Sequence, residues 1–220
     1  MEYTKDEYKK DILVDDTGFQ VMMEWEKPYM EFLVDHLAPT GDVLEIGFGL
    51  GYSATAIQKH NIKSHTIIEA NPIVIDKIRE WAKDKPHPVH IVEGTWQTTL
   101  SSLKTFDSIF FDDSPHKDHP DKEDLRGYAF YYKILRNHVN PGCRYTWYCD
   151  IPIYWIAHPG TEWKCSTVST AIPKNCRYVP FSSATQNTVY APLVTFPYGT
   201  IPNAEPVALN SFLQFKKLTS

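Results

Sequence analysis

The 220-residue sequence contains no apolar run near the roughly 20 residues that a membrane-spanning helix needs, so no membrane partner is expected. Nor is there an excess of positive charge. Lys and Arg number 22 against 27 Asp and Glu, a net charge of -5, and the pI is about 6.0. That balance excludes the electrostatic footprint of a nucleic-acid binder. Cysteine is scarce. The four cysteines (Cys143, Cys149, Cys165 and Cys176) never form C-x-x-C, so no metal site is expected, and they read as small apolar residues in a reducing compartment. Residues 1–16 are charged and polar and lack the apolar core of a signal peptide, which makes the cytoplasm the expected location. Internal repeats and low-complexity tracts are absent too. The run His116-Lys117-Asp118-His119-Pro120-Asp121 imitates a metal cluster, but its Lys, Pro and loop-like composition read as a solvated loop. What remains is length enough for one substantial domain, with 14% aromatics and 16 prolines, most of them after residue 85.

The most informative segment is Val43-Leu44-Glu45-Ile46-Gly47-Phe48-Gly49-Leu50-Gly51. An apolar run ends in an acid, three glycines follow at alternate positions, and small or polar residues suited to a first helical turn come next. This is strand, glycine turn, helix. Glycines there let a ligand approach the backbone and take φ values that a Cβ forbids. The pattern E-x-G-x-G-x-G differs from the dinucleotide fingerprint G-x-G-x-x-G. Glu45 would be unwelcome beside a pyrophosphate, and suits a ligand with a cationic amino-acid head such as S-adenosylmethionine.

Along the chain, residues 1–18 read as a polar, partly helical segment, with a single domain over 19–220. Apolar residues at Val21, Met22, Trp25, Tyr29, Phe32, Leu33 and Leu37 mark one helix face, broken by Pro39-Thr40-Gly41. Strands are expected at Val43–Ile46, His65–Glu69, Val89–Glu93, Phe106–Phe111 and Arg144–Cys149. Helices are expected at Tyr52–His60, Pro72–Lys83 (with Asn71 as cap), Thr98–Leu103 and about Asp124–Arg136. Strands alternating with helices imply a parallel sheet with right-handed crossovers. After Asp150, strand candidates at Trp163–Ala171, Tyr190–Phe196 and Ser211–Phe215 imply an antiparallel extension. The fold expected is α/β and Rossmann-like, with seven mostly parallel strands and an antiparallel C-terminal extension.

In such a sheet, ligands lie beyond the carboxyl ends of the strands. Strand one supplies Glu45 and Gly47, Gly49 and Gly51. Strand two supplies Glu69, about 20 residues on, where a carboxylate accepts from both ribose hydroxyls, with Ala70 beside it. Gly94-Thr95-Trp96 follows strand three; its indole either covers adenine or is a core aromatic. Strand four delivers Asp112, facing the place where the reactive group would lie. Asp113 either adds to the negative field or points to solvent.

The segment Gln20-Val21-Met22-Met23-Glu24-Trp25-Glu26-Lys27-Pro28-Tyr29-Met30 resembles the V-M-x-x-W-E-x-P-Y-M helix of the guanidinoacetate N-methyltransferase family. Val43–Gly49, His65–Asn71, Arg79–Ala82, Gly94–Trp96, Tyr148-Cys149, Cys176–Tyr178 and Pro192–Thr195 extend the resemblance from about residue 20 to 196. Yeast-type arginine δ-N-methyltransferases share much of it. The resemblance implies a class I fold and S-adenosylmethionine as methyl donor, with S-adenosylhomocysteine as product. Glu26 would grip the guanidino group and Asp112 would hold the attacking nitrogen. Met22 and Met30 would line the methionyl side of the donor, Glu69 its ribose and Trp96 its adenine. Asp150 and Ile151 would meet the far end of the substrate, with Asp113 nearby.

The chain also departs from the family. D-T-Y-P becomes Asp112-Asp113-Ser114-Pro115. Asp150 replaces an Asn, and would repel a carboxylate and suit an amine. Pro152, Tyr154, Trp155 and Pro159 replace an expected helix, and the N-terminal lid has no clear counterpart beyond Tyr8. The expected activity is methylation of a small guanidino compound by a monomer or homodimer. Arginine, free or peptidyl, is the alternative substrate, and a catalytically inactive partner subunit is the alternative of another class.

Overall fold

The computed structural model of the chain describes residues 1–113, 126–150, 158–177 and 187–204. It begins with three antiparallel strands, β1 (Glu2–Lys5), β2 (Asp11–Val14) and β3 (Gln20–Met23). The partly helical reading of this region is therefore corrected. Turn chemistry decides it. The Asp6 carboxylate accepts the Tyr8 and Lys10 N–H groups, and Asp15 accepts those of Thr17 and Phe19, closing two hairpins. Val21 and Met22 accordingly lie on β3 and not on a helix. The chain then enters a 3₁₀ turn, Glu24–Glu26, and α1 (Lys27–Leu37). Pro28 occupies the first turn, where a missing N–H costs nothing. Tyr29, Met30, Leu33, Val34 and Leu37 form its buried face. The helix stops at Ala38, which takes a left-handed φ of 44° before Pro39.

From there the expected alternation holds. The elements are β4 (Gly41–Ile46), α2 (Tyr52–Ile57), β5 (Ile62–Glu69), α3 (Pro72–Trp81), β6 (Val89–Glu93), α4 (Trp96–Thr99), β7 (Phe106–Phe111), α5 (Arg126–Asn137), β8 (Val139–Trp147), β9 (Glu162–Ser169) and β10 (Thr188–Phe196). Asn71 caps α3, its side chain accepting the Ile73 and Val74 N–H groups. β8 starts earlier than expected, but its register slips around Pro141-Gly142, and regular pairing with β7 resumes at Arg144. The candidate strand Ser211–Phe215 lies outside the described residues. Seven strands run in the order β6-β5-β4-β7-β8-β10-β9. The β4, β5, β6, β7 and β8 pairings are parallel, and β10 is antiparallel to both β8 and β9. Among the described residues no helix is long and apolar enough to cross a membrane.

Side-chain alternation along the strands builds two cores. Leu44, Ile46, Ile109 and Phe111 face one way, against Trp96, Leu100 and the Phe130–Leu135 stretch of α5. Val43, Ile67 and Phe110 face the other, against α1, α2 and α3. Glu45 shares the second face with Val43 and is fully buried there. His65, also fully buried, presents Nε2 2.8 Å from Glu45 Oε2, close but not in line for a directed hydrogen bond. Gln58 Nε2 lies 3.4 Å from His65 Nδ1, and the Trp81 ring meets His65 edge-on.

Taking away one member of a buried acid–imidazole pair strands the other. His65→Leu should lower stability by about 3–5 kcal/mol, and adding Glu45→Met should restore much of it. Urea denaturation midpoints of the two variants check this; a double variant no more stable than the single one would show that the pair is not the cause.

Candidate active site

The carboxyl ends of β4, β5, β6 and β7 are tied together by their own backbones. Gly47 N–H donates to Ile68 C=O, Asp112 N–H to Ile46 C=O and Gly94 N–H to Glu69 C=O, at 2.9–3.0 Å. Gly47 has φ 79°, and a Cβ there would stand 2.1 Å from the Asp112 carbonyl oxygen. Only glycine lets the turn pass this close to β7. At Gly49, φ 52°, a Cβ would meet Met22 Sδ at 2.6 Å. That sulfur also receives the Leu50 N–H at 3.2 Å, so β3 packs directly on the glycine turn. Gly51 is the N-cap of α2. Tyr3, on β1, adds a second clasp by donating its hydroxyl to Gly49 C=O at 2.8 Å. No sequence signal pointed to Tyr3. Tyr8 is exposed.

Glu69 is held by three backbone donors: Ala70 and Asn71 N–H on Oε1, and Phe48 N–H on Oε2. It thus bridges the glycine turn and the start of α3. Burial lifts its carboxyl above the ordinary range and the charge of Asp113 adds to this, while the three N–H groups pull the other way. A glycine-rich turn beside β3, with a carboxylate at the end of the next strand, fits the adenosyl and amino-acid parts of S-adenosylmethionine.

The other half of the site starts from α1. Glu26 is buried, and its Oε1 accepts the Met23 N–H at 2.7 Å, which orients the carboxylate. Tyr29, one turn on, is fully buried. Its hydroxyl accepts the Cys149 N–H at 2.9 Å and donates to Tyr190 C=O at 2.5 Å. Tyr148 N–H continues the ladder to Phe111 C=O at 3.0 Å, and its ring meets Tyr29 edge-on at 5.5 Å. The Tyr148 hydroxyl is pushed well above the usual phenol range, first by burial, then by the carboxylates of Glu26, Asp150 and Asp112 with Tyr29 among them. The segments of Glu26, Asp112 and Asp150, expected at the site from three separate places, are thus tied together: Tyr29 follows Glu26 by three residues, Phe111 precedes Asp112 and Cys149 precedes Asp150.

Other expected residues have partners of their own. Glu45 is committed to His65 inside the core, because strand alternation turns it away from the glycine turn. Met30 is fully buried among the α1 core residues. The Trp96 indole is 7% exposed, packs edge-on against Phe111 and Phe130, and donates its N–H to Asp113 Oδ2 at 2.9 Å. Asp113 thus turns toward α4 and does not point simply to solvent. Thr95 is the N-cap of α4. Ile151, His116 and His119 lie outside the described residues.

The model of the family described as guanidinoacetate N-methyltransferase matches residues 2–155. The chain belongs to that family. It is similar to protein arginine N-methyltransferase 2 of Candida glabrata, at 38% identity over 150 residues, covering 63% of this chain and 34% of that protein. Its identity to the Saccharomyces cerevisiae protein of the same name is 37% over 116 residues, covering 50% and 28%. The chain thus spans about a third of the length of these curated relatives. Among solved structures it is similar to an O-methyltransferase from Bacillus cereus in complex with SAH, with a TM-score of 0.54 and 13% identity, covering 80% of this chain and 82% of that one. Spermidine synthase from Thermotoga maritima gives a TM-score of 0.56 at 16% identity, covering 94% and 74%. At such identities the likeness is one of fold, and the fold is that of Rossmann-like class I methyltransferases.

Two outcomes are expected from this geometry. Tyr29→Phe leaves the buried Cys149 N–H without its acceptor and should cost about 1–3 kcal/mol in thermal or urea unfolding; an unchanged midpoint would refute the tie. The folded pKa of Glu69 is raised, so its contribution to stability is fully present below the ordinary carboxylate range and is lost as pH rises through the raised value. Ribose hydroxyls need the ionised acceptor, so adenosylhomocysteine affinity should run the opposite way, weakening as pH falls through that value. Calorimetric titrations from neutral pH downward, with Glu69→Gln as the flat control, check it.

Proposed function

We propose that this member of the guanidinoacetate N-methyltransferase family methylates a guanidino nitrogen of a small molecule, guanidinoacetate or a related guanidine. The observation that carries the reading is the tie, through the Tyr29 hydroxyl and the Tyr148 N–H, of the Glu26 segment to the strand ends that carry Asp112 and Asp150. S-Adenosylmethionine, when bound, supplies a methyl group already activated on a sulfonium, which leaves the chain the task of preparing the nucleophile. A guanidinium is a poor one: its lone pairs are delocalised and its pKa is above 12. It has to be bound as a cation, oriented and relieved of a proton.

Glu26 suits the first two tasks. A carboxylate can accept two guanidinium N–H groups in the fork geometry, and the Met23 N–H orients this one. Its burial strengthens the grip by excluding water. Asp112 suits the third. It stands at the end of β7, fixed through its N–H to Ile46, where it takes the remaining N–H and then the proton.

Arginine, free or within a protein, is the second reading. It is favoured by the curated relatives, which are named for arginine N-methylation. Asp150 leans toward free arginine, since it and agmatine carry an amine that guanidinoacetate and an arginine within a protein lack. The guanidine chemistry at Glu26 and Asp112 is common to both.

Adenosylhomocysteine at about 100 times its Kd should stabilise the fold by about 2.7 kcal/mol. Turnover with labelled methyl donor across guanidinoacetate, arginine, agmatine and an arginine peptide identifies the substrate. Asp112→Asn and Glu26→Gln should each lose about 10²-fold or more in kcat while keeping adenosylhomocysteine stabilisation. Wild-type rates in both variants would refute the assigned roles.

A further inference from the structure

Tyr148 carries a buried hydroxyl that makes no hydrogen bond among the described residues. Such an atom is costly, because a phenol hydroxyl withdrawn from water without a partner loses its solvation for nothing. A phenylalanine would pack equally well and avoid the penalty. The ring has little freedom to escape. Its own N–H is held by Phe111 C=O, the following N–H by the Tyr29 hydroxyl, and the Tyr29 ring packs against it in a T-shaped contact. Phe111, which holds the Tyr148 N–H, precedes Asp112, and Tyr29, which packs on the ring, follows Glu26 by three residues; burial first, then the charges of Glu26, Asp150 and Asp112, push the hydroxyl well above the usual phenol range.

We propose that Tyr148 is a substrate-contacting residue of this site, its hydroxyl oxygen accepting an N–H of the guanidinium held by Glu26 and Asp112. The proposal rests on the guanidine reading given above. A singly substituted guanidinium has five N–H donors in a rigid plane, more than two fixed carboxylates can meet with good geometry. A further carboxylate in this place would satisfy another donor, but would hold the guanidinium proton more tightly and oppose its removal. A neutral oxygen orients the same plane without that opposition.

The test is Tyr148→Phe, which removes one atom and keeps the ring. Guanidinoacetate, arginine and agmatine are titrated into the adenosylhomocysteine complex of the wild type and the variant, alongside melting curves and steady-state kinetics. The expected result has three parts. Adenosylhomocysteine affinity is unchanged. The melting temperature is equal or higher, because an unmatched hydroxyl is gone. Guanidine affinity and kcat/KM fall about tenfold or more, as for the loss of one hydrogen bond to a charged group. Equal guanidine affinity and kcat/KM in the two proteins would overturn the role of Tyr148 alone. A lowered melting temperature with parallel loss of adenosylhomocysteine binding would assign the hydroxyl a structural role, and overturn it as well. A wild type that binds adenosylhomocysteine but none of the guanidines would remove the guanidine reading and this proposal with it.

Discussion

The Tyr29 hydroxyl fixes the distance between the two halves of the site. It is buried, it accepts from Cys149 N–H, and it donates to Tyr190 C=O. Helix α1 is thereby pinned to the ends of β8 and β10, where a broken bond would leave backbone groups unmatched in the core. Glu26 lies three residues before Tyr29, and Tyr148 and Asp150 flank Cys149. One phenol therefore sets how the acid on the 3₁₀ turn meets the acids beyond the strands. Pro28 between them fixes the first helical turn and leaves the geometry little slack. This gives the W-E-x-P-Y-M element a physical reason: the acid, the rigid turn and the tie to the sheet form one device.

The central sheet was legible because its strands carry their own signals. Val89–Glu93 and Phe106–Phe111 fall where apolar runs ending in acids put them, and the Asn71-Pro72 start of α3 follows from capping chemistry. The N-terminal strands were not legible. They are four residues long, and the turns between them are made by the Asp6 and Asp15 side chains. Residues Val21 and Met22 also continue the spacing of α1 by accident of phase. Tyr3 reaches the glycine turn only because β1 pairs with β2 and β2 with β3, which no local pattern discloses.

Glu45 is instructive because its position was read correctly and its direction was not. An acid two residues before a glycine turn invites a ligand role. On β4, however, Glu45 shares a face with Val43, and that face is covered by helices. His65 of β5 lies on the same side, one diagonal step away, and takes up the carboxylate there. Alternation along the strand, counted from Val43, was the signal that would have found this.

The acids around the strand ends divide by what surrounds them. Glu45 answers to His65, Asp113 to the Trp96 indole, and Glu69 to three backbone N–H groups. Glu26, Asp112 and Asp150 lie on segments that the Tyr29 hydroxyl and the Tyr148 N–H tie together. On the proposed reading the first two of these deal with the guanidine head, which is the same in guanidinoacetate, arginine and agmatine. Discrimination then has to arise at the far end of the substrate, at Asp150 and the residues after it, where this chain departs from its family. An aspartate in place of asparagine changes a neutral partner into an anion, and like charges brought together in a poorly solvated site are strongly unfavourable. A substrate whose tail is a carboxylate is penalised there, and one whose tail is an amine is rewarded. On the same proposed reading, the fold sets where the donor binds, the paired acids set the reacting group, and the departure at residue 150 selects among guanidines.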